Sequence, residues 1–232
     1  MIPKIIHYCW FGQGEMNEIT QNCIESWKKY LPDYEFKVWN ESNFDINMND
    51  FVKEAYDQKK FAFVSDFVRL YALKEYGGIY MDTDVEVVKS LDPLLNYNAF
   101  TGVETGEYCV TGTMGAIKDH PWINKLLDYY SDKKFVLPNG KLAITPNTVI
   151  ITEITKKEYN WKEGNKVSTL SNGVVILPFD YLCAKNGRTN EIMKTANTYT
   201  IHHFNGSWRP LYKRILSKYV RFLRKVLGLG RI

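Results

Sequence analysis

Long apolar segments are absent from this sequence. The stretch from Met1 to Gly12 contains one lysine and a few apolar residues, which is too short for the apolar region of a signal peptide. No later run approaches the roughly 18 uninterrupted apolar residues that a transmembrane helix needs. We therefore expect a cytoplasmic protein without a membrane-spanning helix.

The chain has few cysteines, and their spacing does not indicate a disulfide framework or a zinc site. The four cysteines are scattered, with no CxxC pair: Cys9, Cys23, Cys109 and Cys183. This pattern favours buried, reduced thiols in a reducing compartment over a disulfide framework or a zinc site.

Acidic residues are missing from the C-terminal part. From Ile192 onward the chain has nine Lys or Arg and no Asp or Glu, so with a net charge of +4 the remainder carries −5. Apolar residues recur there at helical spacing, at Tyr212, Ile215, Leu216, Tyr219, Phe222, Leu223, Val226 and Leu227. The pattern predicts a basic amphipathic helix on an anionic membrane surface. Packing on the protein body or on a second subunit is the alternative.

The remaining sequence is typical of one globular domain, with 232 residues, 45% apolar and 15% aromatic. Segments with strand character alternate with segments of helical periodicity, which predicts an α/β fold with a largely parallel or mixed sheet. We expect Ser65 to cap a helix that ends at Gly77. We also expect continuous strands over residues 79–88 and 108–117.

The stretch GGIYMDTDVE places Asp82 and Asp84 two residues apart at the end of an apolar segment. Residues two apart on a strand face the same side, so Tyr80 and Glu86 share that side with both aspartates. Carboxylates this close repel each other unless a cation lies nearby. A divalent cation that also holds phosphate oxygens is therefore the favoured interpretation; a solvated strand end is the alternative.

Asp66 and Arg69, just upstream, lie three residues apart on a predicted helix and can form an ion pair. They are flanked by the apolar residues Phe63, Val64 and Phe67, where a lone charge would be unfavourable. The pattern indicates a partly buried, oriented pair, with an ordinary surface pair as the alternative.

Three segments in this order resemble glycosyltransferase family 32, namely IPKIIHYCWFG, SDFVRLYALKEYGGIYMDTD and HHFNGSW. The family includes capsule and lipopolysaccharide enzymes and fungal mannosyltransferases, and its core is similar to that of clostridial glucosylating toxins. The resemblance implies a GT-A fold, which is a Rossmann-like α/β domain that binds a nucleotide-sugar. We expect this domain over residues 1–208, followed by the basic helix over residues 209–232.

The resemblance also implies roles for individual residues. Trp10 matches a tryptophan that stacks on the nucleobase, and Asp66 and Arg69 match the pair that binds the donor sugar. Asp82 matches a carboxylate near the ribose, the sugar and the metal, and Asp84 matches the principal ligand of Mn²⁺ or Mg²⁺. The donor expected by analogy is a UDP-sugar.

The C-terminal motif completes the predicted site. His202 and His203 point to opposite sides of a strand, so only one can face the metal. We predict His203, because the family's metal-facing position lies about five residues before Trp208. Ser207 and Trp208 can donate hydrogen bonds to phosphate oxygens. Asn147 is a predicted catalytic residue on the acceptor side.

The implied function is retaining transfer of a hexose to a saccharide acceptor, with no protein nucleophile. A lipid-linked oligosaccharide at the inner face of a bacterial plasma membrane fits the basic tail, which suggests a peripheral enzyme of capsule or surface polysaccharide synthesis. No nucleic-acid partner is expected.

Two other classes compete with this interpretation. An aspartyl-phosphate phosphatase also has a DxD motif after a strand, but it carries Thr or Val where this chain has Glu86. A basic module that binds membranes or nucleic acids would use the tail alone, and it would leave the four charged residues Asp66, Arg69, Asp82 and Asp84 unexplained.

Overall fold

The structure is a computed structural model, and it describes residues 1–104 and 107–206. Ser207, Trp208 and the predicted helix over residues 209–232 lie outside the described residues. Among the helices that are described, none has the length and apolar character needed to cross a membrane.

Helices and strands alternate along most of the described chain. The helices are α1 Glu18–Tyr30, α2 Asp50–Asp57, α3 Phe61–Tyr76, α4 Pro121–Asp128, α5 Asn147–Tyr159 and α6 Phe179–Leu182. The strands are β1 Ile5–Cys9, β2 Glu35–Trp39, β3 Gly78–Met81, β4 Val85–Val87, β5 Ala99–Glu104, β6 Tyr108–Cys109, β7 Thr113–Ala116, β8 Ser168–Thr169, β9 Val174–Leu177 and β10 Thr200–His202.

The main sheet has the strand order β2-β1-β3-β7-β5-β9-β8, with β6 paired to β5. The pairs β1–β2, β1–β3 and β5–β9 are parallel, while β3–β7 and β5–β7 are antiparallel. A small separate sheet pairs β4 with β10 in antiparallel fashion. The prediction of an α/β fold with a mixed sheet is therefore confirmed.

Apolar side chains fill both faces of the main sheet. Along β3, Ile79 and Met81 pack into one cluster with Trp27 of α1, while Tyr80 packs into the other with Phe67 of α3. This alternation follows from the two-residue period of a strand. The sheet is consequently covered by helices on both faces.

The four cysteines are all buried, and none of them forms a disulfide bond.

The expectation of one continuous strand over residues 79–88 is wrong. The backbone leaves β3 at Asp82, whose N–H donates to the Gly112 carbonyl at 2.9 Å, and the Val85 N–H donates back to the Asp82 carbonyl at 3.0 Å. The buried indole of Trp27 donates to the Val85 carbonyl at 2.7 Å, which holds β4 against α1. A turn at residues 82–84 thus separates two strands of different sheets.

The prediction that Ser65 caps a helix is also wrong. Helix α3 begins at Phe61, and Ser65 lies within it with its hydroxyl donating to the Phe61 carbonyl at 3.1 Å. The apolar residues before Ser65 continue the buried face of the helix, so packing extends it beyond the capping residue. The helix ends at Tyr76, and Gly77 is its C-cap with a φ of +67°, which agrees with the predicted end at the glycines.

The predicted strand over residues 108–117 is divided into β6 and β7. Between them, the Thr111 carbonyl accepts a hydrogen bond from Arg69 at 2.7 Å, and the Gly112 carbonyl accepts one from Asp82. These two carbonyls point to side-chain and turn partners, so they cannot continue a regular ladder. The break brings this loop to the two aspartates.

Gly78 provides a test of how the start of β3 is packed. Its φ is +107°, and a Cβ added there would lie 2.7 Å from the Ile5 carbonyl oxygen. We expect Gly78→Ala to lower the free energy of unfolding by about 1–3 kcal/mol, because strained backbone of this kind costs about that much. Urea denaturation gives the value. Gly14→Ala is the control, since a Cβ at Gly14 has nothing within 4 Å; equal stability of the two variants would contradict the expected strain.

Candidate functional site

The turn after β3 brings together three potential metal ligands. One ligand atom from each of Asp82, Asp84 and His202 lies within 4.8 Å of the others. Asp82 is placed by its backbone bond to Gly112, and His202 ends β10, which pairs with β4 directly after the turn. Carboxylate oxygens and an imidazole nitrogen suit Mn²⁺, and the carboxylates also suit Mg²⁺.

Gly112 leaves the space that this cluster needs. A Cβ at Gly112 would lie 3.1 Å from the His202 ring and 3.2 Å from Asp82 Oδ2. Any larger residue would therefore press on two of the three ligand side chains. The donor set and the room beside it are both compatible with a divalent cation.

Arg69 connects this cluster to helix α3. Its Nη2 atom lies 3.0 Å from Asp66 Oδ1 and 3.3 Å from Asp82 Oδ1, and its Nη1 donates to the Thr111 carbonyl at 2.7 Å. The residue is only 4% exposed. The predicted Asp66–Arg69 pair is confirmed as a contact, and the structure adds Asp82 as a second carboxylate on the same guanidinium.

Tyr80 is a neighbour of this pair to which the sequence analysis gave no role. Its hydroxyl donates to Asp82 Oδ1 at 2.9 Å, and the Arg69 guanidinium lies 4.6 Å from its ring centroid. Asp82 Oδ1 is thus held by two protein donors, and Oδ2 faces Gly112 and His202. The shared strand face of Tyr80 and Asp82 was the signal that could have indicated this role.

Burial and neighbouring charges shift the pKa values of Asp66 and Arg69. Burial raises the pKa of Asp66 to about 6, although Arg69 lowers it; the charge of Asp82 raises it further. Burial alone would lower the pKa of Arg69, but Asp82, Tyr80 and Asp66 together raise it above its ordinary value. Arg69 is therefore always charged, and it is shared between two carboxylates.

Asp84 and His202 form a second charged pair. His202 Nε2 lies 3.2 Å from Asp84 Oδ1, and the Asn205 N–H donates to Asp84 Oδ2 at 2.7 Å. Burial raises the pKa of Asp84, but His202 and the hydrogen bonds outweigh it and bring the pKa to about 2. Burial lowers the pKa of His202, but Asp84 raises it well above its ordinary value. The His202 ring also stacks on Phe204, with centroids 4.2 Å apart, which fixes its orientation.

The structure places His202, not His203, with the aspartates, so the predicted metal-facing role of His203 does not agree with the geometry. His203 Nε2 lies 2.9 Å from Glu86 Oε2, and Lys185 Nζ lies 3.5 Å from His203 Nδ1. The two histidines do point to opposite sides, as expected from a strand. The break at residues 82–84 reorients Asp84 toward His202, which the assumption of a continuous strand could not anticipate.

Asn147 and Trp10 belong to two other segments, α5 and the loop after β1. Asn147, at the start of α5, is 5% exposed, and its amide lowers the pKa of Asp66. Within the described residues its Nδ2 atom makes no hydrogen bond of ordinary geometry. Trp10 follows β1, and its indole donates to the Gly14 carbonyl at 2.6 Å. Because β1 and β3 are parallel neighbours, Trp10 and Asp82 lie at the same edge of the sheet.

A pair of histidine variants tests which residue can hold a metal. We expect His202→Ala to weaken Mn²⁺ binding at least about tenfold, because one of three ligands is removed. His203→Ala is the matched control and should bind Mn²⁺ within about twofold of the unaltered protein. Mn²⁺ titration followed by electron paramagnetic resonance measures both; a larger loss in His203→Ala would show that the ligand assignment is reversed.

Asp66 provides a test by pH. Its pKa in the folded protein lies above its ordinary value of 3.8, so its contribution to stability is present below about pH 4 and is lost as the pH rises through about 6. Relative to Asp66→Asn, we expect the unaltered protein to lose up to about 3 kcal/mol of unfolding free energy between pH 4 and pH 7. Urea denaturation of both proteins at several pH values gives the difference, and a difference that is flat with pH would contradict the raised pKa.

Comparison with known proteins adds independent information. Residues 17–101 match the family model described as "Glycosyltransferase sugar-binding region containing DXD motif". Inositol phosphoceramide mannosyltransferase 3 of Schizosaccharomyces pombe is 34% identical over 133 residues, which cover 53% of this chain and 35% of that protein. Mannosyl phosphorylinositol ceramide synthase CSH1 of Saccharomyces cerevisiae is 28% identical over 202 residues, which cover 80% of this chain and 50% of that protein. The matched segments thus span between about a third and a half of these curated relatives.

Among solved structures, the chain is similar to one titled "PaToxG Glycosyltransferase". The TM-score is 0.52 at 22% sequence identity, covering 68% of this chain and 70% of that one, and this likeness concerns the fold alone. The matched family region contains Asp66, Arg69, Asp82 and Asp84. Residues 17–101 are therefore similar to the sugar-binding region of glycosyltransferases with a DXD motif, and the mixed α/β fold is similar to that of a solved glycosyltransferase.

Proposed function

We propose that the protein transfers a hexose from a nucleoside diphosphate sugar to a lipid-linked, polyhydroxylated acceptor, with a divalent metal and with retention of the anomeric configuration. The observation that carries this proposal is the convergence of Asp82, Asp84 and His202 beside the buried Asp66–Arg69 pair. A negative cluster repels phosphates unless a cation is bound, so the donor set supports a divalent cation that would neutralise the charge of a diphosphate. The match to the DXD family region favours sugar transfer over the phosphatase alternative.

Asp84, His202 and Asp82 Oδ2 would hold Mn²⁺ or Mg²⁺ in this proposal. When bound, the metal supplies charge stabilisation to the diphosphate leaving group. Tyr80 and Arg69 hold Asp82 Oδ1, so that the other oxygen keeps its orientation toward the cluster. His202 must lose its proton to act as a ligand, and the adjacent Asp84 charge must then be balanced by the metal.

The donor sugar is proposed to bind beside the Asp66–Arg69 pair, which offers both an acceptor and a donor of hydrogen bonds. Asn147 lies next to Asp66, and its buried amide is proposed as a further donor to a sugar hydroxyl or to the attacking acceptor. Trp10 is proposed to stack on the base, and Ser207 and Trp208 remain predicted phosphate donors. Retention by attack on the same face of the sugar requires no protein nucleophile.

The names of the curated relatives support a proposal for the sugar and the acceptor. One relative is named an inositol phosphoceramide mannosyltransferase and the other a mannosyl phosphorylinositol ceramide synthase, so both names combine mannose with a phosphoinositol ceramide. A lipid-linked oligosaccharide of capsule synthesis and a phosphoinositol lipid share one chemistry, which is a polyhydroxylated head group on a lipid. We propose this acceptor class, and we propose that residues 209–232 bring the enzyme to the cytoplasmic face of a membrane. The candidate sugars are therefore mannose and the hexoses that UDP-sugars carry.

Donor hydrolysis tests the proposal directly. The protein is incubated with UDP-glucose, UDP-galactose or GDP-mannose in Mn²⁺, Mg²⁺ or EDTA, and the released nucleoside diphosphate is measured. We expect metal-dependent turnover of one donor, and at least about 100-fold loss in Asp84→Ala, since removal of a central charged ligand abolishes leaving-group stabilisation. Asp132→Ala, an exposed aspartate, is the control.

The stereochemistry is read from the same reaction once a glycoside product forms. The anomeric proton coupling of the product, measured by nuclear magnetic resonance before mutarotation, should match that of the donor. Turnover unaffected by EDTA would contradict the metal dependence, and an inverted product would contradict retention.

A further inference from the structure

An open cavity of about 270 Å³ lies on the α1 side of the aspartate turn. Its lining comes from α1, β4 and the end of β10: Ile19, Asn22, Cys23, Glu86 and His203. The Asp66–Arg69 pair belongs to α3, which packs on the opposite face of the main sheet from α1. The cavity and the proposed donor-sugar site therefore approach the turn from two different sides.

The polar wall of the cavity is built as a chain of hydrogen bonds. Lys185 Nζ approaches His203 Nδ1 at 3.5 Å and donates to the His203 carbonyl at 3.2 Å. His203 Nε2 lies 2.9 Å from Glu86 Oε2. The His203 ring therefore lies between the Lys185 ammonium and the Glu86 carboxylate. This arrangement holds the Glu86 carboxylate in place and leaves its Oε1 atom, within the described residues, without a hydrogen bond to protein.

The cavity wall is hydrogen-bonded through the backbone to Asp84, one of the proposed metal ligands. The His203 N–H donates to the Asp84 carbonyl at 2.9 Å. Cys23, in the cavity wall, has its pKa raised to about 12, chiefly by burial and further by the charges of Asp84 and Glu86. Both carboxylates are therefore close to this wall. A ligand in the cavity would lie next to the cluster without touching Arg69.

The chemistry of the lining selects the type of ligand. The Glu86 carboxylate disfavours phosphates, but it accepts hydrogen bonds from hydroxyl groups, and the Asn22 amide can both donate and accept. Ile19, which is 41% exposed, offers an apolar surface for the C–H face of a ring. The volume is just below the range of about 300–1,000 Å³ for pockets that hold drug-sized ligands, so it suits one small ring.

We propose that this cavity is the acceptor subsite and binds one neutral, polyhydroxylated ring of the acceptor. The proposal rests on the proposed sugar transfer, whose donor would be held by the Arg69 side of the turn. Glu86 would accept from ring hydroxyls, with its carboxylate oriented by His203 and Lys185. Asn22 and Ile19 would bound the ring on the α1 side.

Asn22→Trp tests the subsite by filling it from an exposed helical position. Saturation-transfer nuclear magnetic resonance measures binding of methyl α-D-mannopyranoside, with Mn²⁺ and either UDP or GDP present. We expect the glycoside signal of the unaltered protein to fall at least fivefold in Asn22→Trp and at least twofold in Glu86→Gln. Glu25→Gln, an exposed position on α1 outside the cavity, is the control and should keep the signal.

Donor hydrolysis without acceptor separates this proposal from the broader function. Asn22→Trp should hydrolyse the donor within about twofold of the unaltered protein, while its transfer to the glycoside falls at least tenfold. Equal glycoside binding and transfer in Asn22→Trp and Glu25→Gln would overturn the subsite even if donor hydrolysis is intact. No glycoside signal in the unaltered protein would overturn it as well. Absence of donor hydrolysis in every protein would overturn the sugar-transfer proposal, whereas selective loss of the glycoside signal in Asn22→Trp would still support a ring-binding cavity.

Discussion

The buried guanidinium of Arg69 is the group on which the site depends. It is almost fully removed from solvent, and it lies within ion-pair distance of both Asp66 and Asp82. Without this cation, two carboxylates would face each other in a poorly hydrated region, and at least one would take up a proton. By also binding the Thr111 carbonyl, Arg69 ties α3 to the loop before β7. Arg69 therefore balances the charge of two carboxylates and also holds three segments together, namely α3, the turn at residues 82–84 and the loop before β7.

The turn at residues 82–84 directs the two aspartates to different partners. Asp82 stays attached to the Arg69 side, while Asp84 turns to His202 and to the Asn205 N–H. The Trp27 indole anchors the residue after the turn, so the two aspartates cannot move apart without disturbing the core. The site is therefore preorganised by packing on both faces of the sheet. Preorganised charges of this kind are the usual source of electrostatic stabilisation in enzymes.

Three kinds of side-chain chemistry lie in three regions around the aspartate turn. The α3 side carries a cation and a carboxylate, the centre carries three potential metal ligands, and the α1 side carries a cavity lined by Glu86 and His203. Separate regions for donor sugar, diphosphate and acceptor ring would let one reaction centre hold two substrates at once. Orientation of two bound reactants is a large contribution to catalysis in any transfer reaction. The backbone bond between His203 and Asp84 joins the central and α1 regions directly.

Local sequence patterns by themselves determined the α/β class of the fold, the end of α3 at the glycine pair and the Asp66–Arg69 contact. These features depend on residues close in the chain, such as the three-residue spacing of Asp66 and Arg69 on one helical face. Tertiary structure decided the break after Asp82, the choice of His202 over His203 and the space at Gly112. Each of these depends on contacts between distant segments, including Trp27 with Val85 and Asp82 with Gly112. Strand periodicity predicts which side a residue faces only while the strand continues, and long-range hydrogen bonds determined where this strand ends.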